Sequence, residues 1–267
     1  MFSAHHSSRL NARLLPWTIP AGALLAWIFV SASGLAPPYL LPHPMSVVKS
    51  GHIYVFGPAD AGTYAGRFLG DARASLLRVV LGFGLAALLG IPLGILSGRL
   101  TVVRDLMSTP VNALRAVPGI CWLPLALVWF GIGVKTTVFL VALAGFFPVY
   151  LNAAAGARQI NPLLYQSGAM MGVGRLRGVF AILIPGAMPQ IITGLRLGLG
   201  IAWAYLVLGE LTGVPDGLGA VIMDARMLGR IDIIAVGIII IAVFGRLSDL
   251  GLKAGLRLCF KSARRTP

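Results

Sequence analysis

The sequence predicts an all-α membrane protein that crosses the bilayer about six times, and three observations predict it. Of 267 residues, 57% are hydrophobic and only 11% are charged, whereas a soluble domain carries roughly 25% charged residues. Mean hydropathy is +0.87. Charge-free stretches run between Arg13 and Lys49, Arg78 and Arg99, Arg115 and Lys135, and Lys135 and Arg158. A spanning helix needs about 20 mostly apolar residues, and each of these gaps is about that long or longer.

The gaps set spans near 14–34, 77–98, 107–130 and 136–157. Two more, near 191–211 and 233–252, are apolar but carry Arg196 and Glu210, and Arg246 and Asp249. Arg9 and Arg13, the apolar run 14–30 and Ser31-Ala32-Ser33 also fit a cleavable signal peptide. Because further spans follow, an uncleaved first helix is the expectation. The result is one transmembrane domain over 1–267, with its core at 75–257.

Orientation follows from the basic residues. With the N-terminus inside, the cytoplasm receives Arg9, Arg13, Arg99, Arg104, Arg158, Arg175 and Arg177, and the tail adds Lys253, Arg257, Lys261, Arg264 and Arg265. On the other side, the basic residues are offset by Asp60, Asp71, Asp216, Asp224 and Asp232. This asymmetry predicts both termini in the cytoplasm. It also accounts for the net charge of +14 as a topology signal rather than a nucleic-acid stripe. Cys121 and Cys259 are too far apart for a disulfide framework or zinc site, and no histidine cluster offers metal ligands.

Two hydrophilic segments differ in character. Residues 35–75 are rich in Pro and Gly and read as an outer loop with short surface helices. Residues 158–190 read as a cytoplasmic helix–turn–helix. Asn161-Pro162 is a helix start, since Asn caps free amides and Pro fits the first position. Gly172 and Gly174 end that helix through a left-handed turn. A second short helix over 176–184 follows, and Pro185 and Pro189 redirect the chain into the next span. Met170, Met171, Arg175 and Arg177 are left exposed. Ser167 and Gly168 are small enough for close approach by a partner.

The segment Gln166-Ser167-Gly168, three residues, Gly172, nine residues, Ile182-Leu183-Ile184-Pro185 resembles the E-A-A, three, G, nine, I-x-L-P signature of permeases of binding-protein-dependent ABC importers. Two positions depart from it: the E-A-A triplet is Gln166-Ser167-Gly168, and the Leu is Ile184. The missing carboxylate weakens the case for an acidic salt bridge to an ATPase at that point. Leu41-Pro42-His43-Pro44, Ser75-Leu76-Leu77-Arg78-Val79, Leu114-Arg115-Ala116-Val117-Pro118, Trp129-Phe130-Gly131-Ile132-Gly133 and Pro185-Gly186-Ala187-Met188-Pro189 with Gly194-Leu195-Arg196 resemble, in this order, the nitrate/sulfonate/taurine branch.

The resemblance implies the type I importer permease fold, in an inner membrane. It further implies a second permease copy, two ATPase subunits that carry ATP and Mg, and a periplasmic or lipid-anchored solute-binding protein. This chain has no G-x-x-x-x-G-K-[ST] and holds no cofactor of its own. The implied solutes are sulfonates, taurine, nitrate or similar oxyanions, or thiamine precursors. A self-sufficient channel or ion-coupled transporter is the alternative. It would need intramembrane carboxylates, for which Glu210 and Asp249 are the candidates, although Asp249 can pair with Arg246 three residues before it. A membrane enzyme would rely on Asp216, Asp224 and Asp232, which suit a solvated outer surface better. For the solute path the candidates are Arg115, Arg196, Trp203 and Glu210. The structural alternatives are that Arg115 caps carbonyls freed near Pro118 and that Arg196 snorkels to the interface.

Overall fold

The computed structural model describes residues 4–259 apart from Pro38, Ala59 and Ala61. All regular structure among the described residues is helical. Lys261, Ser262, Arg264 and Arg265 of the basic tail lie outside those residues. The chain forms two compact units, Met1–Phe68 with Asp224–Ile238, and Leu69–Met223 with Ile239–Pro267.

In the first unit, α1 (Ala4–Ala32) carries Pro16 and Pro20, and its strongly apolar part is Thr18–Ala32. Trp27 Nε1 donates to the carbonyl of Pro42 over 3.1 Å. Helix α2 (Pro44–Phe56) starts as its sequence dictates. Pro44 lies in the first turn, and the His43 side chain accepts from the Met45 amide. Val47, Ser50 and Tyr54 bury one face of α2, so a short helix expected in this stretch forms, but one of its faces is packed rather than at the surface. Ser50 donates to Asp232, whose two carboxylate oxygens also accept from Arg230 over 3.0 and 2.8 Å. Asp232, expected on a solvated surface, is therefore an ion-paired residue in the first turn of α11 (Ile231–Cys259), where its charge suits the helix dipole.

The second unit holds most of the spanning helices. α3 (Phe68–Arg99), α6 (Val134–Arg158), the helical run Val179–Glu210 and α11 are each long and apolar enough to cross a membrane. The region expected as one span over 107–130 is broken. α4 (Thr101–Ala116) ends at extended Val117, a 3₁₀ turn covers Gly119–Cys121, and α5 (Trp122–Phe130) follows after a bend of 85°. If that pair counts as one crossing, the spans among the described residues number five, and the apolar part of α1, Thr18–Ala32, is shorter than a span.

Without water to drive association, helices in lipid pack through close van der Waals contact, which small residues permit. Gly82, Ala86, Gly90, Gly94 and Gly98 recur every fourth residue on α3. A Cβ at Gly82 would lie 2.6 Å from Val141 side-chain atoms, and one at Gly94 would lie 2.7 Å from the Ala153 methyl. This stripe lets the α3 backbone rest on α6. On the other side of α6, a Cβ at Gly194 would lie 2.6 Å from Asn152 Cβ, so α9 (Ile184–Glu210) comes as close. Val149, Ala153, Ala157, Leu183, Ala187 and Ile191 fill the core between them.

Candidate functional site

A helical hairpin follows the end of α6. Asn161 Oδ1 accepts from the Leu163 amide over 2.9 Å, and Pro162 occupies the first position of α7 (Pro162–Met170). Gly172 stops the helix with φ +80°. The Val173 amide reaches back to Gly168 O over 2.9 Å and the Gly172 amide to Ala169 O over 3.0 Å. This is the double closure that a left-handed glycine makes possible at a helix end.

Beyond the turn, α8 (Arg175–Gly178) passes into a π turn over Val179–Leu183 and then into α9. The expected separate helix over 176–184 is thus the start of the long helix, and Pro185 does not redirect the chain. Proline has no N–H and crowds the preceding turn. The wider turn accommodates it, with the Ile184 amide bonded to Val179 O, five residues back.

The hairpin sorts its residues clearly. Gln166 and Ser167 are exposed, and Ser167 Oγ donates to Leu163 O over 2.8 Å. Gly168 instead faces inward. A Cβ there would lie 2.8 Å from Ile182 Cδ1, so its small size lets the two arms of the hairpin approach. Met170 and Met171 are 89% and 78% exposed. Arg177, Gly172 and Pro185 are exposed, while the Arg175 side chain lies outside the described residues. Tyr165 anchors α7: its ring packs on the core, under the Arg99 guanidinium, 4.1 Å from the ring centre. Burial pushes the Tyr165 hydroxyl up, partly offset by Arg99.

The break between α4 and α5 shapes a cavity of about 400 Å³. Arg115, in the last turn of α4, lines it with Pro118, Trp122, Phe147, Ile201 and Tyr205. Arg115 has no hydrogen bond or ion pair with any described residue, so it does not cap the carbonyls near Pro118. Gly119 lies directly against the Tyr205 hydroxyl, and any side chain at 119 would overlap that ring.

The other three pathway candidates are engaged elsewhere. Arg196 binds Asp249 of α11 in a two-pronged pair of 2.8 and 3.1 Å, so it does not stand free. Arg246 is the weaker partner of Asp249, at 3.5 Å. Trp203 is buried, with Nε1 donating to Ser248 Oγ over 2.9 Å. Glu210 is wholly buried at the end of α9. It accepts from Arg78 over 2.7 Å, from Ser75 over 2.8 and 2.9 Å, and from the Gly219 amide of α10 (Leu218–Met227) over 2.8 Å. Arg78 also binds Asp216, and Asp71 accepts from the Gly217 amide. Sequence reasoning passed over this network. Its available signal was the spacing of Asp71, Ser75 and Arg78, which puts three polar groups on one face of an otherwise apolar helix.

The described residues thus combine helices long and apolar enough to cross a membrane, a helical hairpin with exposed Met170 and Met171, and a cavity lined by Arg115 at the break of a span. Residues 90–254 match the family described as binding-protein-dependent transport system inner membrane component. The chain is 33% identical to the taurine transport system permease protein TauC of Escherichia coli (strain K12), over 93% of this chain and 94% of that protein. It is 33% identical to the putative aliphatic sulfonates transport permease protein SsuC of Bacillus subtilis (strain 168), covering 86% and 81%. It is 31% identical to the nitrate import permease protein NrtB of a Synechocystis strain, covering 78% and 76%. In fold it matches a chain of the MetNI methionine ABC transporter in inward-facing form. That match has a TM-score of 0.56 and 17% identity, and covers 70% of this chain and 95% of the other. The chain therefore belongs to the inner-membrane permease components of binding-protein-dependent ABC importers. Its fold is the type I importer permease fold, and this class displaces the channel and membrane-enzyme readings.

Proposed function

We propose that this permease imports a small sulfonate, taurine or an oxyanion such as nitrate, as a dimer with a second permease copy. Two ATPase subunits carry ATP and Mg, and an external binding protein delivers the solute. The observation that carries the solute class is Arg115. Arg115 lies in the last turn of α4, where the span breaks, and charged groups within membrane-spanning segments normally face protein or water. Arg115 spends no donor on the described residues, and its cavity adds the aromatic walls of Trp122, Phe147 and Tyr205. A planar guanidinium suits the flat or tripodal oxygens of nitrate and sulfonate, and apolar walls suit a short carbon chain. The names of the taurine, sulfonate and nitrate relatives support the same class.

In this reading the hairpin 158–190 lies in the cytoplasm and meets the ATPase. Its exposed Met170 and Met171 supply flexible apolar contacts for an irregular groove, with Gln166, Ser167, Arg175 and Pro185 nearby. The test is uptake by proteoliposomes that contain the permease, its ATPase and its binding protein. Labelled taurine, ethanesulfonate and nitrate are offered separately, with ATP inside. ATP-dependent accumulation of at least one is expected; accumulation of none, in a complex that hydrolyses ATP, overturns the solute class.

A further inference from the structure

Arg104, Ser108, Asn112 and Arg115 follow one another along α4 at spacings of four, four and three. That pattern keeps them on one helix face, and the face lines two neighbouring cavities that share Leu151 of α6. One is the Arg115 cavity. The second, of about 360 Å³, is lined by Arg104, Ser108 and Asn112 from α4 and by Arg158, the last residue of α6.

The second cavity is built for negative charge. No carboxylate among the described residues lines it. Arg158 and Asn112 have no hydrogen bond or ion pair among the described residues. Arg104 gives its Nε to Asp105 over 3.2 Å, with both groups well exposed, so that pair is weak and leaves the terminal guanidinium nitrogens of Arg104 uncommitted. Two guanidiniums and a side-chain amide thus surround one space. Two like charges with only one weak exposed counter-ion repel, and an anion between them removes that repulsion while filling forked donors. The location adds a role: Arg158 is three residues before Asn161, the cap of α7, so this cavity adjoins the hairpin.

We propose that the Arg104–Asn112–Arg158 cavity is a second anion site, which the transported solute reaches from the Arg115 cavity past Leu151 before release. The proposal rests on the anionic-solute reading above. Because Arg158 joins the hairpin directly, movement of the hairpin shifts one of the two guanidiniums and loosens the anion. The shared chemistry, an anionic oxygen group, would also describe a lipid headgroup, so the test separates the two sources.

The test uses the permease–ATPase complex in nanodiscs of zwitterionic lipid, with Cys121→Ser, Cys259→Ser and Ser108→Cys. Its thiol is modified either by a methanethiosulfonate reagent bearing an ethanesulfonate group or by a neutral reagent of the same size. Modification is read as intact mass of the permease chain. Relative to a simple exposed thiol, the sulfonate reagent should be favoured roughly tenfold, the low end of what a focused positive potential does to an encounter rate. Free ethanesulfonate should protect, and neutral dimethyl sulfone should not. Arg158→Gln should remove both the preference and the protection, while Arg158→Lys should keep the preference, which guards against a merely misfolded variant. Equal rates and no protection overturn the proposal. Protection that needs anionic lipid and is indifferent to ethanesulfonate assigns the site to a headgroup and overturns the solute role. Uptake by the unmodified complex is scored separately: import of a sulfonate or oxyanion without protection at Ser108→Cys sinks this site alone, and failure of import sinks the solute class beneath it.

Discussion

Arg78 of α3 and Glu210 of α9 form a buried ion pair of 2.7 Å, with side chains 3% and 0% exposed. Two charges out of water repay their desolvation only if the remaining lone pairs are filled. Here Ser75 and the Gly219 amide take the other carboxylate positions, and Asp216 shares the guanidinium. Removing one partner of such a pair costs about 3–5 kcal/mol. Glu210→Gln should therefore lower the thermal midpoint of the detergent-solubilised permease clearly and reduce its yield. Joint replacement by Arg78→Met and Glu210→Leu should recover much of the loss. A Glu210→Gln protein with an unshifted melting curve would mean that the pair does not hold these helices together.

Gly172 offers a cleaner experiment, because a Cβ there would meet nothing within 4 Å. Any penalty must come from its φ of +80°, which costs an L-residue roughly 1–2 kcal/mol. Gly172→Val should insert and fold but fail to recruit the ATPase, and transport should be lost. Gly168→Ala should be mild, since the clashing atom is the flexible end of Ile182. Copurification of the ATPase with each variant is the measurement. Full recruitment by Gly172→Val would reduce the hairpin to a connector.

Much of this architecture was legible because lipid excludes charge. Gaps between charges located α3 and α6, and Asn161-Pro162 with Gly172 bounded α7 to within a residue. The same reasoning ran 107–130 together as one span. No charge marks a turn inside a membrane, and only Val117-Pro118-Gly119 signalled the break. Long-range pairing was also out of reach. Asp249 has a neighbour at i−3 in Arg246, but its better partner, Arg196, is 53 residues away. Arg78 looked like a span boundary because its partner Glu210 is 132 residues distant.

The Arg196–Asp249 pair is half-exposed, with side chains 37% and 21% accessible, and exposed pairs are worth about 0–1 kcal/mol. Arg196→Gln should thus shift the melting curve far less than Glu210→Gln does. Exchanging the charges, Arg196→Asp with Asp249→Arg, should restore what either single reversal loses. A single reversal as damaging as loss of Glu210 would show that the pair lies in a drier setting than its exposure indicates.

Orientation can be read from two exposed positions in a background without native cysteines. Met170→Cys sits on α7 and Asp60→Cys on the segment before α3, and both positions are exposed. With the hairpin in the cytoplasm, an impermeant thiol reagent should label Asp60→Cys in intact cells and Met170→Cys only in inverted vesicles. The opposite pattern would put the hairpin on the side without ATP.

Arg115 carries the largest functional consequence. Its guanidinium lines a cavity of about 400 Å³ and has no partner among the described residues, so its replacement breaks no described ion pair or hydrogen bond. Arg115→Gln should leave expression, ATPase assembly and the melting curve within about 0.5 kcal/mol of the parent, as for other changes that remove no packing or pairing. Uptake should nevertheless fall by roughly tenfold, the factor that 1.4 kcal/mol of lost attraction produces. Solute-stimulated ATP hydrolysis should fall with it, while basal hydrolysis should stay. Arg115→Lys keeps the charge but not the planar fork, and should transport at an intermediate rate. Gly119→Ala, which pushes on Tyr205 across the same cavity, should impair uptake without touching the charge. Unchanged uptake by an assembled Arg115→Gln complex would remove this arginine from the solute path and take the anion argument with it.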